Sequence, residues 1–182
     1  MSVITTERLV IRRFTRDDWQ DLYEYLSNKN VVFYEPYDVL TEEQCKEEAI
    51  NRSNNESFWA VCLKNNNKVI GNIYFAKQDF DTWELGYVFN EQYHKNGYAT
   101  ESAKAMIGYA FTELGARRII AMCSPKNESS WKLLERLNMR REGHKLQTVY
   151  FKKDENDQPI WLDTYEYALL VSEWEGNLVS EM

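Results

Sequence analysis

A strand, a glycine turn, a long helix and a second strand follow one another between Trp83 and Cys123, and this unit restricts the possible folds more than any other stretch. The run Trp83-Glu84-Leu85-Gly86-Tyr87-Val88-Phe89 is aromatic and β-branched enough to read as a strand, and it carries one carboxylate, Glu84. After the polar turn from Asn90 to Gly97, residues Ala99, Ala103, Met106, Ile107, Ala110, Phe111 and Leu114 recur at the spacing of one buried helix face. Gly115 suits the left-handed cap that ends such a helix, and residues 117–123 follow as a second buried strand. Two strands joined through a helix are predicted to lie parallel, with a right-handed crossover. The turn into the helix is then a cradle for an anion, because the first helical turn leaves about four N–H groups unpaired and carries partial positive charge. Gly97 lets the backbone approach a ligand and Ala99 keeps side-chain bulk away. By itself, one glycine before a helix is also the mark of an ordinary turn.

The flanking segments extend a sheet on both sides. Leu9-Val10-Ile11-Arg12-Arg13-Phe14 reads as an opening strand, and Thr15 or Asp17 caps a helix whose face is Trp19, Leu22, Tyr23 and Leu26. Thr41-Glu42-Glu43-Gln44 forms a capping box at the start of a second, more polar helix that ends near Asn55. Residues 58–63 and 69–75 read as an antiparallel hairpin across the polar turn 64–68. Beyond the central unit, Asn127 caps a helix with Trp131, Leu134 and Leu137 on one face, stopping near Asn138, which tolerates left-handed backbone. Residues 141–152 and 160–172 read as two late strands around the turn-rich segment 154–159. The predicted fold class is α+β, a mixed and twisted sheet of about seven strands with helices on both faces. One domain over residues 1–176 is expected, with 177–182 fraying as a tail.

Composition narrows the chemistry. With 43% hydrophobic and 14% aromatic residues, a chain of 182 residues can pack a core without disulfides or metals. Cys45, Cys62 and Cys123 are odd in number and lack metal-ligand spacing, and with only His94 and His144 beside them no metal site is expected. No apolar run approaches the roughly 18 residues of a membrane span and no signal-peptide order opens the chain, so a cytoplasmic location without a membrane partner is expected. A net charge of -7 disfavours nucleic acid and mildly favours a cationic partner.

Three ordered motifs, Glu84-Leu85-Gly86-Tyr87-Val88-Phe89, Gly97-Tyr98-Ala99-Thr100-Glu101 and Asn127-Glu128-Ser129-Ser130, resemble the Gcn5-related N-acetyltransferases (GNAT), and within them the RimJ/RimL-like branch that acetylates ribosomal-protein N-termini. The resemblance runs from Glu7 to Leu170. The family's acyl-CoA motif, Q/R-x-x-G-x-G/A, corresponds to His94-Lys95-Asn96-Gly97-Tyr98-Ala99, with His94 in place of the usual glutamine or arginine. A cradle made of backbone does not depend on that side chain. What the resemblance implies is an acetyl-CoA-dependent N-acetyltransferase that moves an acetyl group directly to a primary amine. It implies that Val88 and Phe89 pair with the pantetheine arm of coenzyme A between two splayed parallel strands, and that Lys95, Asn96, Gly97, Tyr98, Ala99 and Thr100 surround the pyrophosphate. Asn127 and Ser130 fall at cofactor positions. Many members protonate the leaving sulfur from a helix tyrosine whose place is taken by Leu134, and Ser130 is the substitute expected here. Tyr34, Glu35 and Asp163 fall where the acceptor is held.

Transfer to an amine needs a neutral nitrogen. An α-amine with a pKa near 8 is about 10% neutral at pH 7, at a cost of roughly 1.4 kcal/mol, whereas a lysine-like amine near 10.4 costs roughly 4.6 kcal/mol. Glu84 is the candidate base, because an acid in an otherwise apolar strand has its pKa raised; strand alternation alone also allows it to face solvent. The Ser130 hydroxyl is equally able to bond the Asn127 cap or a helix carbonyl. The leading reading is acetylation of a peptide or protein N-terminus. The alternatives are a small polycation such as a polyamine or aminoglycoside, or an acyl-CoA-binding regulatory module without turnover. A monomer or a homodimer is compatible with late strands at a sheet edge.

Overall fold

The computed structural model describes residues 3–174, so the tail expected at 177–182 lies outside the described residues. In chain order the elements are β1 (Ile4–Thr5), β2 (Leu9–Arg13), α1 (Trp19–Leu26), α2 (Glu42–Ser53), β3 (Phe58–Leu63), β4 (Val69–Lys77), β5 (Thr82–Phe89), α3 (Tyr98–Thr112), β6 (Arg118–Cys123), α4 (Glu128–Arg136), β7 (Arg140–Lys153) and β8 (Pro159–Leu170). The strands form one sheet of eight in the order β1-β2-β3-β4-β5-β6-β8-β7. The strand beyond the expected seven is β1, whose two residues are too short to show a period.

Period decides which face each element buries. Leu85 and Phe89 of β5 join Ala103, Met106, Ile107 and Ala110 of α3 and Leu133, Leu134 and Leu137 of α4 in one core. Val88, of opposite parity, joins Leu22, Tyr25 and Leu26 of α1 and Cys45 and Ala49 of α2 in the other. The two helix pairs therefore cover opposite faces of the sheet. The α1 face differs from expectation by one member: Tyr25 is fully buried and Tyr23 is 39% exposed. A 3₁₀ turn at Arg16–Asp18 precedes α1, and the Tyr25 hydroxyl finds a buried partner by donating to Asn72 Oδ1 at 3.0 Å. Of the two expected start signals, Thr15 is the cap, standing ahead of that turn with its N–H donating to Asp18 Oδ2 at 2.7 Å, and Asp17 takes no part. Elsewhere the boundary signals hold. Thr41 and Gln44 close a capping box, the Asn127 side chain accepts from the Ser130 N–H, and Gly115 and Asn138 have φ of 66° and 60°.

Every neighbouring pair in the sheet is antiparallel except β5 and β6. These two pair in parallel at Thr82 with Arg118, Trp83 with Ile119 and Glu84 with Ile120, and then stop. From that point β5 continues along β4 as far as Phe89, and β6 continues along β8 as far as Cys123. The right-handed twist that each strand carries separates the pair once their hydrogen bonds end. The result is a wedge open towards the α3 and α4 N-termini, with unmatched backbone along both sides.

Candidate active site

A cavity of about 1530 Å³ occupies the wedge and reaches both faces of the sheet. Of the residues singled out from sequence, all but Asn96 line it. The Asn96 side chain folds back onto its own turn, donating to the carbonyls of Tyr93 and His94 at 3.3 and 3.0 Å.

The floor of the wedge carries the backbone that an extended, amide-bearing ligand would pair with. Val88 and Phe89 reach it on opposite faces of β5, and the Phe89 carbonyl already accepts from His94 Nε2 at 3.0 Å. His94, at the position where a longer polar side chain was expected, therefore braces the end of β5. The turn that follows bends through positive φ at Lys95 (62°) and Gly97 (80°) and delivers the chain to α3. The first helical bond runs from Glu101 N–H to Gly97 O at 3.0 Å, so the N–H groups of Tyr98, Ala99 and Thr100 stand ahead of it, as an anion cradle requires.

One residue behind this cradle carried no sequence signal. Arg8, between β1 and β2, donates from Nη1 to the Asn96 carbonyl at 3.0 Å and pairs with Glu101 at 2.6 Å, while its guanidinium lies 4.5 Å from the Tyr98 ring centroid. A Cβ at Gly97 would stand 3.4 Å from Arg8 Nη2. Arg8 thus ties the turn to the first turn of α3, a contact across 88 to 93 residues of sequence that no local pattern announces.

Charge is unevenly spread around the cavity. Lys95, Lys126, Lys132 and Arg136 border it around the cradle and α4, although Lys132 is also paired with Glu128 at 2.5 Å. On the opposite side, residues 16–56, which include α1 and α2, hold eleven acids and four bases, but only Glu35, Glu48 and Arg52 of these charged residues line the cavity, and Glu48 is paired with Arg52. The bases around the cradle favour an anion at that end.

Glu84 lies at the last paired position of the wedge and lines the cavity. Gln78 Nε2 donates to its Oε2 at 3.0 Å, and burial alone holds its carboxyl above the ordinary carboxylate range. The Ser130 hydroxyl is 2.9 Å from the hydroxyl of Tyr87, a β5 residue whose importance the sequence did not signal, while the Ser130 N–H takes the Asn127 cap at 3.2 Å. The cap thus engages the backbone of Ser130, while its Oγ meets the Tyr87 hydroxyl.

The three acceptor-side candidates behave differently. The Tyr34 hydroxyl is committed to the Lys126 carbonyl at 2.9 Å, strapping the loop between α1 and α2 across the cavity to the opposite rim. The Asp163 carboxylate accepts from the Gln147 N–H at 2.9 Å and meets His144 Nε2 at 3.1 Å, and these contacts hold its pKa below the ordinary value. Glu35 is half-buried without a hydrogen bond from any described residue, and burial pushes its carboxyl up to about 7, with the nearby Arg52 guanidinium opposing. Arg52, 4% exposed, donates to Glu48 Oε1 at 2.7 Å and Asn72 Oδ1 at 2.9 Å.

Glu35 therefore binds its proton more tightly when folded than when unfolded. Its contribution to stability is complete below the unfolded-state pKa and is lost as pH rises through about 7. Glu35→Gln should flatten this dependence and stabilise the free protein by about 2 kcal/mol at pH 8, with little gain at pH 4. Thermal unfolding at the two pH values checks it; parallel curves for both proteins would assign the carboxylate an ordinary, solvated environment.

Comparison with known proteins gives consistent relatives. The model of the acetyltransferase (GNAT) domain matches residues 8–140. An uncharacterized N-acetyltransferase of Bacillus subtilis (strain 168), YnaD, is 42% identical over 173 residues, covering 94% of this chain and 98% of the relative. The crystal structure of a GNAT-family acetyltransferase from Bacillus anthracis superposes with a TM-score of 0.87 at 38% identity, over 94% of this chain and 100% of that one. Two more distant structures share the fold. A spermidine N-acetyltransferase from Vibrio cholerae in complex with CoA and spermine has a TM-score of 0.76 at 16% identity, over 93% of this chain and 99% of that one. A ribosomal L7/L12 alpha-N-protein acetyltransferase in complex with coenzyme A has a TM-score of 0.79 at 18% identity, over 94% of this chain and 99% of that one.

Proposed function

This chain belongs to the acetyltransferase (GNAT) family and is an acetyl-CoA-dependent N-acetyltransferase, and on that premise we propose that its acceptor is the N-terminal α-amine of a peptide or protein, as in the RimJ/RimL-like branch. The observation that carries this reading is the form of the acceptor side. It is a cleft with an apolar rim, in which Phe33 is 65% exposed, Phe151 40% and Ile160 47%, and half-buried Glu84 lines it where the two parallel strands part. Such a rim suits the side chains of a peptide laid across it. A carboxylate raised by burial alone, with no second base bonded to it, is matched to an α-amine, which is some 3 kcal/mol cheaper to deprotonate than a lysine-like amine.

The residues present fit acetyl-CoA. The Gly97 turn and the N–H groups of Tyr98, Ala99 and Thr100 would hold the pyrophosphate, and the unmatched β5 backbone at Val88 and Phe89 would pair with the pantetheine arm. Bound there, acetyl-CoA supplies an activated acyl group. Asn127 and Ser130 would border its thioester, with Ser130 donating to the departing sulfur and a freed β5 N–H facing the developing oxyanion. Glu84 would take the proton from the acceptor nitrogen, directly or through water. Tyr34 and Glu35 would border the acceptor, and Asp163, already engaged by Gln147 and His144, would shape its outer edge.

A polycationic acceptor is the second reading, favoured by the net charge of -7 and by the carboxyl of Glu35 on the cavity wall. Free thiol release from acetyl-CoA, measured with an amine panel, separates the two. Short peptides with free N-termini should turn over, the same peptides N-blocked but carrying an internal lysine should not, and spermidine should be slower by at least about tenfold. Faster turnover of spermidine than of every free-ended peptide would replace the first reading with the second.

A further inference from the structure

We propose that Tyr87 is the positioning residue that aims the Ser130 hydroxyl hydrogen into the wedge, at the sulfur of the thioester, an inference that rests on Ser130 as the donor to that sulfur. The Tyr87 hydroxyl has two acceptors on one residue. It donates to the Ser130 carbonyl at 3.0 Å and lies 2.9 Å from Ser130 Oγ. With its hydrogen on the carbonyl, the Oγ contact is satisfied only by the Ser130 hydrogen pointing back at Tyr87. With its hydrogen on Oγ, the Ser130 hydrogen is released to point elsewhere. A rotation about one C–O bond therefore switches Ser130 between a self-contained state and a donating one.

The surroundings already place a sulfur beside Ser130. Burial raises the thiol of Cys123, at the end of β6, while the neighbouring Ser130 opposes that rise, and Cys123, Ser130 and Tyr87 all line the cavity. Burial holds the Tyr87 phenol well above its ordinary pKa, so it stays protonated and remains a donor across the working pH range. Tyr87 reaches this place from β5, where it faces the α3–α4 core beside Leu85 and Phe89.

The proton balance of transfer is simple. The acceptor nitrogen forms its bond to the acetyl carbonyl carbon, the carbon–sulfur bond breaks, and its electron pair passes to sulfur. The nitrogen's proton leaves through Glu84 to solvent. The thiolate departs hydrogen-bonded to Ser130 and takes a proton from solvent on release, so neither hydroxyl loses its own.

Tyr87→Phe, Ser130→Ala and the double variant test this. Tyr87→Phe should lower kcat about tenfold with the KM for acetyl-CoA and the Kd for CoA unchanged. The double variant should be no slower than Ser130→Ala alone, because Tyr87 acts only through Ser130. Additive losses, or wild-type kcat in Tyr87→Phe beside a slow Ser130→Ala, would overturn the role of Tyr87 and leave Ser130 standing. Wild-type kcat in Ser130→Ala would remove Ser130 as donor and Tyr87 with it. Should Tyr87→Phe lose its fold, 2,3-difluorotyrosine at position 87 keeps the ring and makes the hydroxyl more acidic. A stronger donor and weaker acceptor favours the state in which Tyr87 donates to Ser130 Oγ, so kcat should rise at unchanged KM for acetyl-CoA, and an unchanged or lower kcat overturns the proposal.

Discussion

Glu84→Gln is expected to lower kcat about 10²- to 10³-fold with a peptide acceptor while leaving the affinity for acetyl-CoA unchanged. Glutamine keeps the size of the side chain and its contact with Gln78, so the wedge and its cradle stay as they are. What is lost is the ability to accept a proton. A base works only when ionised, and burial raises the Glu84 carboxyl, so the wild-type rate should climb with pH through a value above the ordinary carboxylate range. The acceptor amine adds a limb of its own at higher pH. The two are told apart by changing the acceptor: the limb belonging to Glu84 stays in place, and it should vanish in the variant. Kinetics like those of the wild type would discard Glu84 as the base and shift attention to Glu35.

The second large effect is expected at Gly97. Its φ of 80° is unfavourable for any side chain, and an added Cβ would crowd Arg8 on one side and the approach of a phosphate on the other. Gly115 has φ of 66° and nothing within 4 Å of such a Cβ. Gly97→Ala and Gly115→Ala should therefore cost similar stability, about 1 kcal/mol each, from backbone strain alone. Only Gly97→Ala should weaken acetyl-CoA binding, by about 10- to 100-fold in Kd. Calorimetric titration of both variants, with melting curves alongside, gives the comparison. Equal affinities would mean that the phosphates are held elsewhere.

The parts of the structure readable in advance are those set by local chemistry. The strand bearing Glu84, the helix face from Ala103 to Ala110, the Thr41 box and the left-handed positions at Gly115 and Asn138 each follow from residues within a few positions of one another. The Tyr25 error arose where a 3₁₀ turn shifted the start of α1 and a buried asparagine from β4 supplied a phenol with its partner. Arg8 against Glu101, Tyr87 against Ser130 and Arg52 against Asn72 were invisible for one reason. Each pair is separated by 20 to 93 residues and exists only because the sheet order brings its members together. The acceptor side is built mostly of such pairs and of the strapping loop around Tyr34, whose conformation depends on a carbonyl 92 residues away.

Parallel pairing that ends after three residues has one more implication, for mutational tolerance. Recognition by main-chain amides survives nearly any replacement of the side chains attached to them, proline excepted. Donor binding of the proposed kind would be robust to drift, whereas the α1–α2 side of the cavity would meet the acceptor through side chains such as Tyr34 and Glu35. On that proposal, substitutions between α1 and α2 would redirect the enzyme from one amine to another without rebuilding its hold on the thioester.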